Sequence, residues 1–121
     1  MRVKTNELTG AALDWAVAKC EGLLCFGYRT DGERFAVKNG DSGIDGFMPS
    51  TDWAQGGPII EREGINLDNY AKNPKWSAWT PAPDRESGEA QAYGPTPLIA
   101  AMRCYVVSKL GDEVEIPWEL K

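Results

Sequence analysis

The chain has 121 residues, 42% of them hydrophobic and 26% charged, enough for one domain with a hydrophobic core of its own. Its net charge of −5 and the scatter of its 13 Lys and Arg residues exclude a nucleic-acid polymer as partner, because phosphate backbones demand clustered cations. There is no histidine, which removes Ser-His-Asp and Cys-His catalysis and the commonest zinc ligand. The three cysteines, Cys20, Cys25 and Cys104, form no CxxC pair and no even disulfide set, so reduced thiols are expected. Cys20 and Cys104 fall in apolar helical patterns and read as core. No leader and no membrane span is legible, and a soluble protein of the host cytoplasm is the expectation.

Residues 5–21 predict a first helix, capped by Thr5 or Thr9 and ended by Gly22, with Leu13, Ala16, Val17 and Cys20 at helical spacing. Two β-like runs follow, 23–28 and 34–38, and Asp31-Gly32 between them predicts a hairpin. Residues 39–48 are rich in Gly and Asp and predict a loop. Asp41, Ser42 and Asp45 there are possible oxygen donors to calcium, but the EF-hand spacing is missing.

The central segment 49–58 carries most of the chemistry. Ser50 is the expected N-cap of a short helix beginning at Thr51, with Asp52 in its first turn. Gly56-Gly57-Pro58 is expected to interrupt that helix, which restarts through Glu63 and stops at Gly64. A kinked helix over 51–63 results.

Residues 66–74 read as turn. Trp76 and Trp79 lie three apart in a short strand, which places them on opposite faces of a sheet. Residues 81–89 predict an exposed, mobile loop, and 89–93 a returning strand. Thr96 and Pro97 then open the clearest helix in the chain, with Leu98, Ile99, Met102, Tyr105, Val106 and Leu110 as its stripe and Gly111 at its end. Residues 113–116 are β-like. This order predicts an α+β fold, a small antiparallel sheet with helices packed on it.

Three segments, LTGAALDWAVAKCEG (8–22), PSTDWAQGGPIIEREGI (49–65) and GPTPLIAAMRCYVVSKLG (94–111), together resemble the NinX family of tailed-phage proteins, small accessory proteins from the nin region of lambdoid phages. More distantly, Ser50-Thr51-Asp52-Trp53-Ala54, the Trp76-Ser77-Ala78 strand and Thr96 through Met102 are similar to the phage ABA-sandwich domain. That likeness implies an α-β-α arrangement. Neither resemblance supplies catalytic residues or a cofactor.

The candidate ligand-binding residues are Ser50, Thr51, Asp52, Trp53, Gly56, Gly57, Arg62, Trp76 and Trp79. Trp53 offers a face for stacking on a flat ring, worth ~1–3 kcal/mol in such contacts. Asp52 offers a carboxylate for ribose hydroxyls or an amino group. The free N–H groups of a helix restart at the glycine pair favour an anion, with Arg62 as the nearest cation in sequence. The competing readings are core for each Trp, a dipole-satisfying acid for Asp52 and a surface charge for Arg62. Asp14, Cys25, Asp52, Glu61 and Glu63 could serve catalysis, yet none lies in a catalytic motif. A non-catalytic module that sequesters a small nucleotide-derived molecule is therefore expected. A protein-interaction module with Trp76, Trp79 and Trp118 exposed is the alternative, and a homodimer is the expected assembly, with Trp118 either an interface residue or packed back on its own core.

Overall fold

The computed structural model describes residues 2–22, 24–28, 35–39, 42–44, 47–69 and 76–116, with only the backbone of the three strands between 24 and 44. The Asp31-Gly32 turn, Asp41, Asp45, Trp118 and the side chain of Cys25 lie outside the described residues. In chain order the elements are β1 (Arg2–Lys4), a 3-10 turn (Thr5–Glu7), α1 (Gly10–Cys20), β2 (Leu24–Tyr28), β3 (Phe35–Asn39) and β4 (Ser42–Ile44). Then come α2 (Trp53–Glu63), β5 (Asn66–Asn69), β6 (Trp76–Pro81), β7 (Glu89–Gly94), α3 (Pro97–Leu110) and β8 (Glu113–Glu115). The fold is α+β. Its strands form three antiparallel sheets, β1-β8, β2-β3-β4 and β5-β6-β7.

Helix α3 is the centre of the molecule. It is buried on every side from Leu98 to Val107, as a helix apolar all round must be. Sheet β5-β6-β7, α1, α2 and β8 all pack against it. It begins as the sequence dictates: Thr96 caps it by accepting the Ile99 N–H on Oγ1 (3.1 Å), and Pro97 fills the first turn. On the sheet face toward α3 stand Ala90, Ala92 and Gly94 of β7, opposite Thr80, Ala78 and Trp76 of β6. Small residues let the helix approach closely, and a Cβ at Gly94 would sit 2.8 Å from the Ala100 nitrogen. Trp79 and Tyr93 lie on the opposite face of this sheet from Trp76.

Several elements differ from the sequence expectation. The first helix starts at Gly10, not Thr5, because tertiary contacts hold the preceding residues. Thr5 is fully buried and donates from Oγ1 to the Gly111 carbonyl (2.7 Å), and Leu8 is extended and buried. Thr9 is the N-cap residue, in extended conformation. The expected loop 39–48 contains β4, whose Gly43 pairs with Lys38. The turn-rich 66–74 begins with β5, where Leu67 lies opposite Ala78. The segment after β6 is a turn held by Arg85 rather than a free loop. Its Nε donates to the Glu89 carbonyl (2.9 Å), and Nη2 pairs with Asp112 (3.1 Å). The N-terminal strand β1, which carries no apolar run, forms by pairing with the predicted β8.

The central helix of the sequence reading also changes. Its N-cap is Asp52 rather than Ser50, and α2 runs from Trp53 to Glu63 without interruption. Pro58 costs a single helical bond, to the carbonyl of Ala54, and Ala54 is exposed, so water can take that bond's place. Gly64, left-handed at φ 66°, ends the helix as expected.

Candidate functional site

The head of α2 is built from the turn that precedes it. Thr51 and Asp52 donate their N–H groups to the Met48 carbonyl, and the extended Asp52 then opens the helix. Asp52 Oδ1 accepts the Ala54 N–H (2.9 Å), while Oδ2 accepts Gln55 Nε2 (2.9 Å). Gln55 Oε1 in turn accepts the Met48 N–H (2.9 Å). Both carboxylate oxygens of Asp52 thus serve the cap, which fixes its orientation. Ser50 is buried; its N–H donates to Oδ1 of the buried Asp14 in α1 (2.9 Å). The Ser50 hydroxyl is sealed from solvent with no hydrogen-bond partner. Thr51 is exposed.

Trp53 is 53% exposed, the most open of the large apolar side chains that the structure describes. This excludes it from the core and leaves half an indole at the surface, one residue after the cap. Gly56 serves packing. A Cβ there would lie 2.4 Å from the Pro49 carbonyl oxygen and 2.6 Å from Leu98 Cδ1, so only glycine lets α2 seat on its own leading turn and on α3. At Gly57 the nearest atom is Trp53 Cε3, 4.0 Å away. Trp76 belongs to the same end of α3: it pairs with Gly94, which abuts Ala100, and it packs partly buried on the core. Trp79, half-buried, is on the far face of the sheet.

Arg62 is at the other end of α2, roughly 14 Å along the axis from Trp53 at 1.5 Å per residue. There it joins three helices. Nη1 and Nη2 donate to Glu21 Oε1 (3.1 Å) and Oε2 (2.6 Å), and Nε donates to Glu63 Oε2 (2.8 Å). Tyr105 of α3 donates its hydroxyl to Glu21 Oε2 (2.6 Å) and accepts from Arg62 Nη2 (3.1 Å), and Lys109 lies 3.6 Å from Glu63. These hydrogen bonds to Glu21 and Glu63 push the Arg62 pKa up. Burial raises the Glu21 pKa, but the bonds from Arg62 and Tyr105 outweigh it and hold the carboxyl below its ordinary value. Neighbouring Cys20 is pushed up to about 12, by burial first and by Glu21 second, as is the buried Cys104, by burial. Both thiols are therefore protonated and unreactive at neutral pH.

So the structure gathers Ser50, Thr51, Asp52, Trp53, Gly56 and Gly57 at the head of α2 and places Trp76 at the same end of α3. It does not bring Arg62 or Trp79 to them. Of the acids weighed for catalysis, Asp14 receives the Ser50 N–H, and Glu63 is held by Arg62 and Lys109. Among the described residues no three His, Cys, Asp or Glu side chains are grouped to hold a metal.

The sequence model of the family described as Bacteriophage P22, NinX matches residues 4–109. The chain belongs to that family. The match spans the 3-10 turn, α1, α2 and the six strands β2 to β7 in whole, and α3 up to its penultimate residue, so both ends of α2 are NinX-family architecture. This is a phage protein, then, and none of its described helices is long and apolar enough to cross a membrane. A search of curated proteins found no match.

Two features of this NinX-family chain escaped the sequence reading. The Glu21–Arg62–Tyr105 junction has no motif, because its members are far apart in sequence, at the C-cap of α1, on α2 and on α3. Arg103, buried on α3, had a visible signal: it is a charge in the apolar middle of the helix, whereas the other charged residue, Lys109, lies in the last turn.

Proposed function

We propose that this protein is a non-catalytic phage accessory protein that binds through the head of α2, with Trp53 as its principal contact. The observation that carries the reading is the half-open indole beside a rigid, capped carboxylate. An indole with half its surface left open is well suited to stacking. The ligand of first choice is a small nucleotide-derived molecule, its base on Trp53 and its ribose toward Asp52, sequestered in the host cytoplasm to blunt a signal-based defence.

A second reading, a protein partner, is favoured by one observation. Arg62, the cation expected to hold a phosphate, is fully engaged with Glu21 and Glu63 at the far end of the helix. Exposed Trp is a frequent hot-spot residue in protein interfaces. The two readings separate in a thermal-shift screen against cyclic nucleotides, ADP-ribose derivatives and NAD. A nucleotide ligand at ~100 times its Kd stabilises the fold by about 2.7 kcal/mol. The Trp53→Ala protein should melt near the parent temperature and lose that shift. No shift with any nucleotide, together with a protein captured by the parent and not by Trp53→Ala, establishes the second reading.

A further inference from the structure

Arg103 is a charged side chain with an unusual setting. It is 7% exposed, in the buried apolar middle of α3, whereas the helix's other charge, Lys109, is exposed in the last turn. Nε donates to the Leu8 carbonyl (2.8 Å) and Nη1 to the Tyr93 carbonyl (2.7 Å). Those bonds clasp the segment before α1 and the free edge of β7. They use two of the five N–H donors a guanidinium carries, leaving three. Among the described residues Nη2 meets no hydrogen-bond partner, and it is not sealed from solvent. No carboxylate lies within ion-pair distance of this arginine among the described residues. Glu7, the acid whose charge it feels, is exposed on the 3-10 turn.

A buried charge is ordinarily matched by an opposite one, since carbonyl dipoles offset only part of the cost of leaving water. Burial accordingly pulls the Arg103 pKa down, with Glu7 opposing weakly. By contrast Arg62, half-exposed, has two carboxylates. Next to the Arg103 clasp, Asn6 accepts the Tyr93 N–H on Oδ1 (3.0 Å), which leaves its Nδ2 donors unpartnered. The Tyr93 ring is 36% exposed. One residue's N–H and C=O thus hold Asn6 and Arg103 side by side, each with free donors.

We propose that Arg103 and Asn6 form an anion site that takes a phosphate group of a small ligand. Nη2 of Arg103 and Nδ2 of Asn6 donate to its oxygens, and the phosphate supplies the negative charge that the fold omits. The two bonds to carbonyls fix the guanidinium in advance, so little side-chain entropy is lost on binding. The site is independent of Trp53.

The test is a titration of the 15N-labelled protein with inorganic phosphate, followed by NMR at the Arg103 Nε–H, the Asn6 side-chain amide and the Tyr93 N–H, with sodium chloride at equal ionic strength as the blank and acetate as a second arm. The expected result is saturable shifts at these three groups with phosphate, with weaker shifts from acetate, whose single charge offsets less. Asn6→Asp keeps the acceptor for Tyr93 but installs a carboxylate beside the guanidinium, and should weaken phosphate binding at least tenfold. Glu7→Gln removes the opposing acid and should tighten it. Both positions are exposed, and the same spectra report whether each variant is folded. Trp53→Ala should leave the titration unchanged, which separates this site from the head of α2. Phosphate shifts no larger than those from chloride, or equal phosphate affinity in Asn6→Asp and the parent, overturn the proposal.

Discussion

The two ends of α2 are built on opposite principles. At its foot Arg62, Glu63, Glu21, Tyr105 and Lys109 satisfy one another across three helices, and every charge has a partner. At its head Asp52 serves the cap, the Ser50 N–H is held by Asp14 of α1, and the large indole of Trp53 is half exposed to solvent. The foot is where the chain invests in holding α1, α2 and α3 together. The head is capped by Asp52 yet leaves half of one indole uncovered, which is the feature on which the proposed contact surface rests. A cation nine residues away on the same helix is therefore no guide to the chemistry of the helix start.

Four changes break or sharpen that contrast. The largest effect is expected at Gly56, where the head is joined to the body. Gly56→Ala drives a Cβ into the Pro49 carbonyl and Leu98 and should cost about 1–3 kcal/mol in urea unfolding, despite the better helix propensity of Ala. Arg62→Ala comes next. It removes bonds to Glu21, Glu63 and Tyr105, but the guanidinium is half-exposed and screened by solvent, so a loss of about 1 kcal/mol is expected by the same measurement. Gly57→Ala should do the reverse of Gly56→Ala. With only the Trp53 ring edge at 4.0 Å, it should gain roughly 0.5–1 kcal/mol from reduced backbone freedom.

The smallest effect is in pH. The Glu21 carboxyl has a lower pKa folded than unfolded, so its stabilisation is fully present above the ordinary value of 4.5. It is lost as pH falls through the lower folded value. Melting temperatures measured from pH 6 downward should decline below about pH 4.5 in the parent, and Glu21→Gln should flatten part of that decline.

Much of the fold was legible where local chemistry acts alone. Thr96-Pro97 opens α3, Gly64 closes α2, and the alternation of residues 89–93 makes a strand. What was not legible depended on partners distant in sequence. Thr5 leaves the first helix because the Gly111 carbonyl takes its hydroxyl, and residues 2–4 become a strand only because 113–115 lie beside them. The displaced cap at the central segment has a local cause that the sequence presented ambiguously. Ser50, Thr51 and Asp52 are all good caps, and the burial of the Ser50 N–H against Asp14 decided among them. The glycine-proline break was over-read, since one lost bond on an exposed flank does not interrupt a helix held by packing at Gly56. Within the candidate site, the exposure of Trp53 could not be read from its position, and the distance of Arg62 was hidden by the expected break at Gly56-Gly57-Pro58, since only a continuous helix carries it to the far end.

The most direct test of the head of α2 as a binding surface is the Trp53→Ala protein, measured twice. Its melting curve should show a loss of no more than about 1 kcal/mol, because only half of the indole is buried. Its affinity for the ligand or protein partner found with the parent should fall at least tenfold, the ~1.4 kcal/mol equivalent of one good stacking contact. A melting temperature lowered by several kcal/mol of stability, with affinity per folded molecule unchanged, would contradict the account and make Trp53 a structural residue.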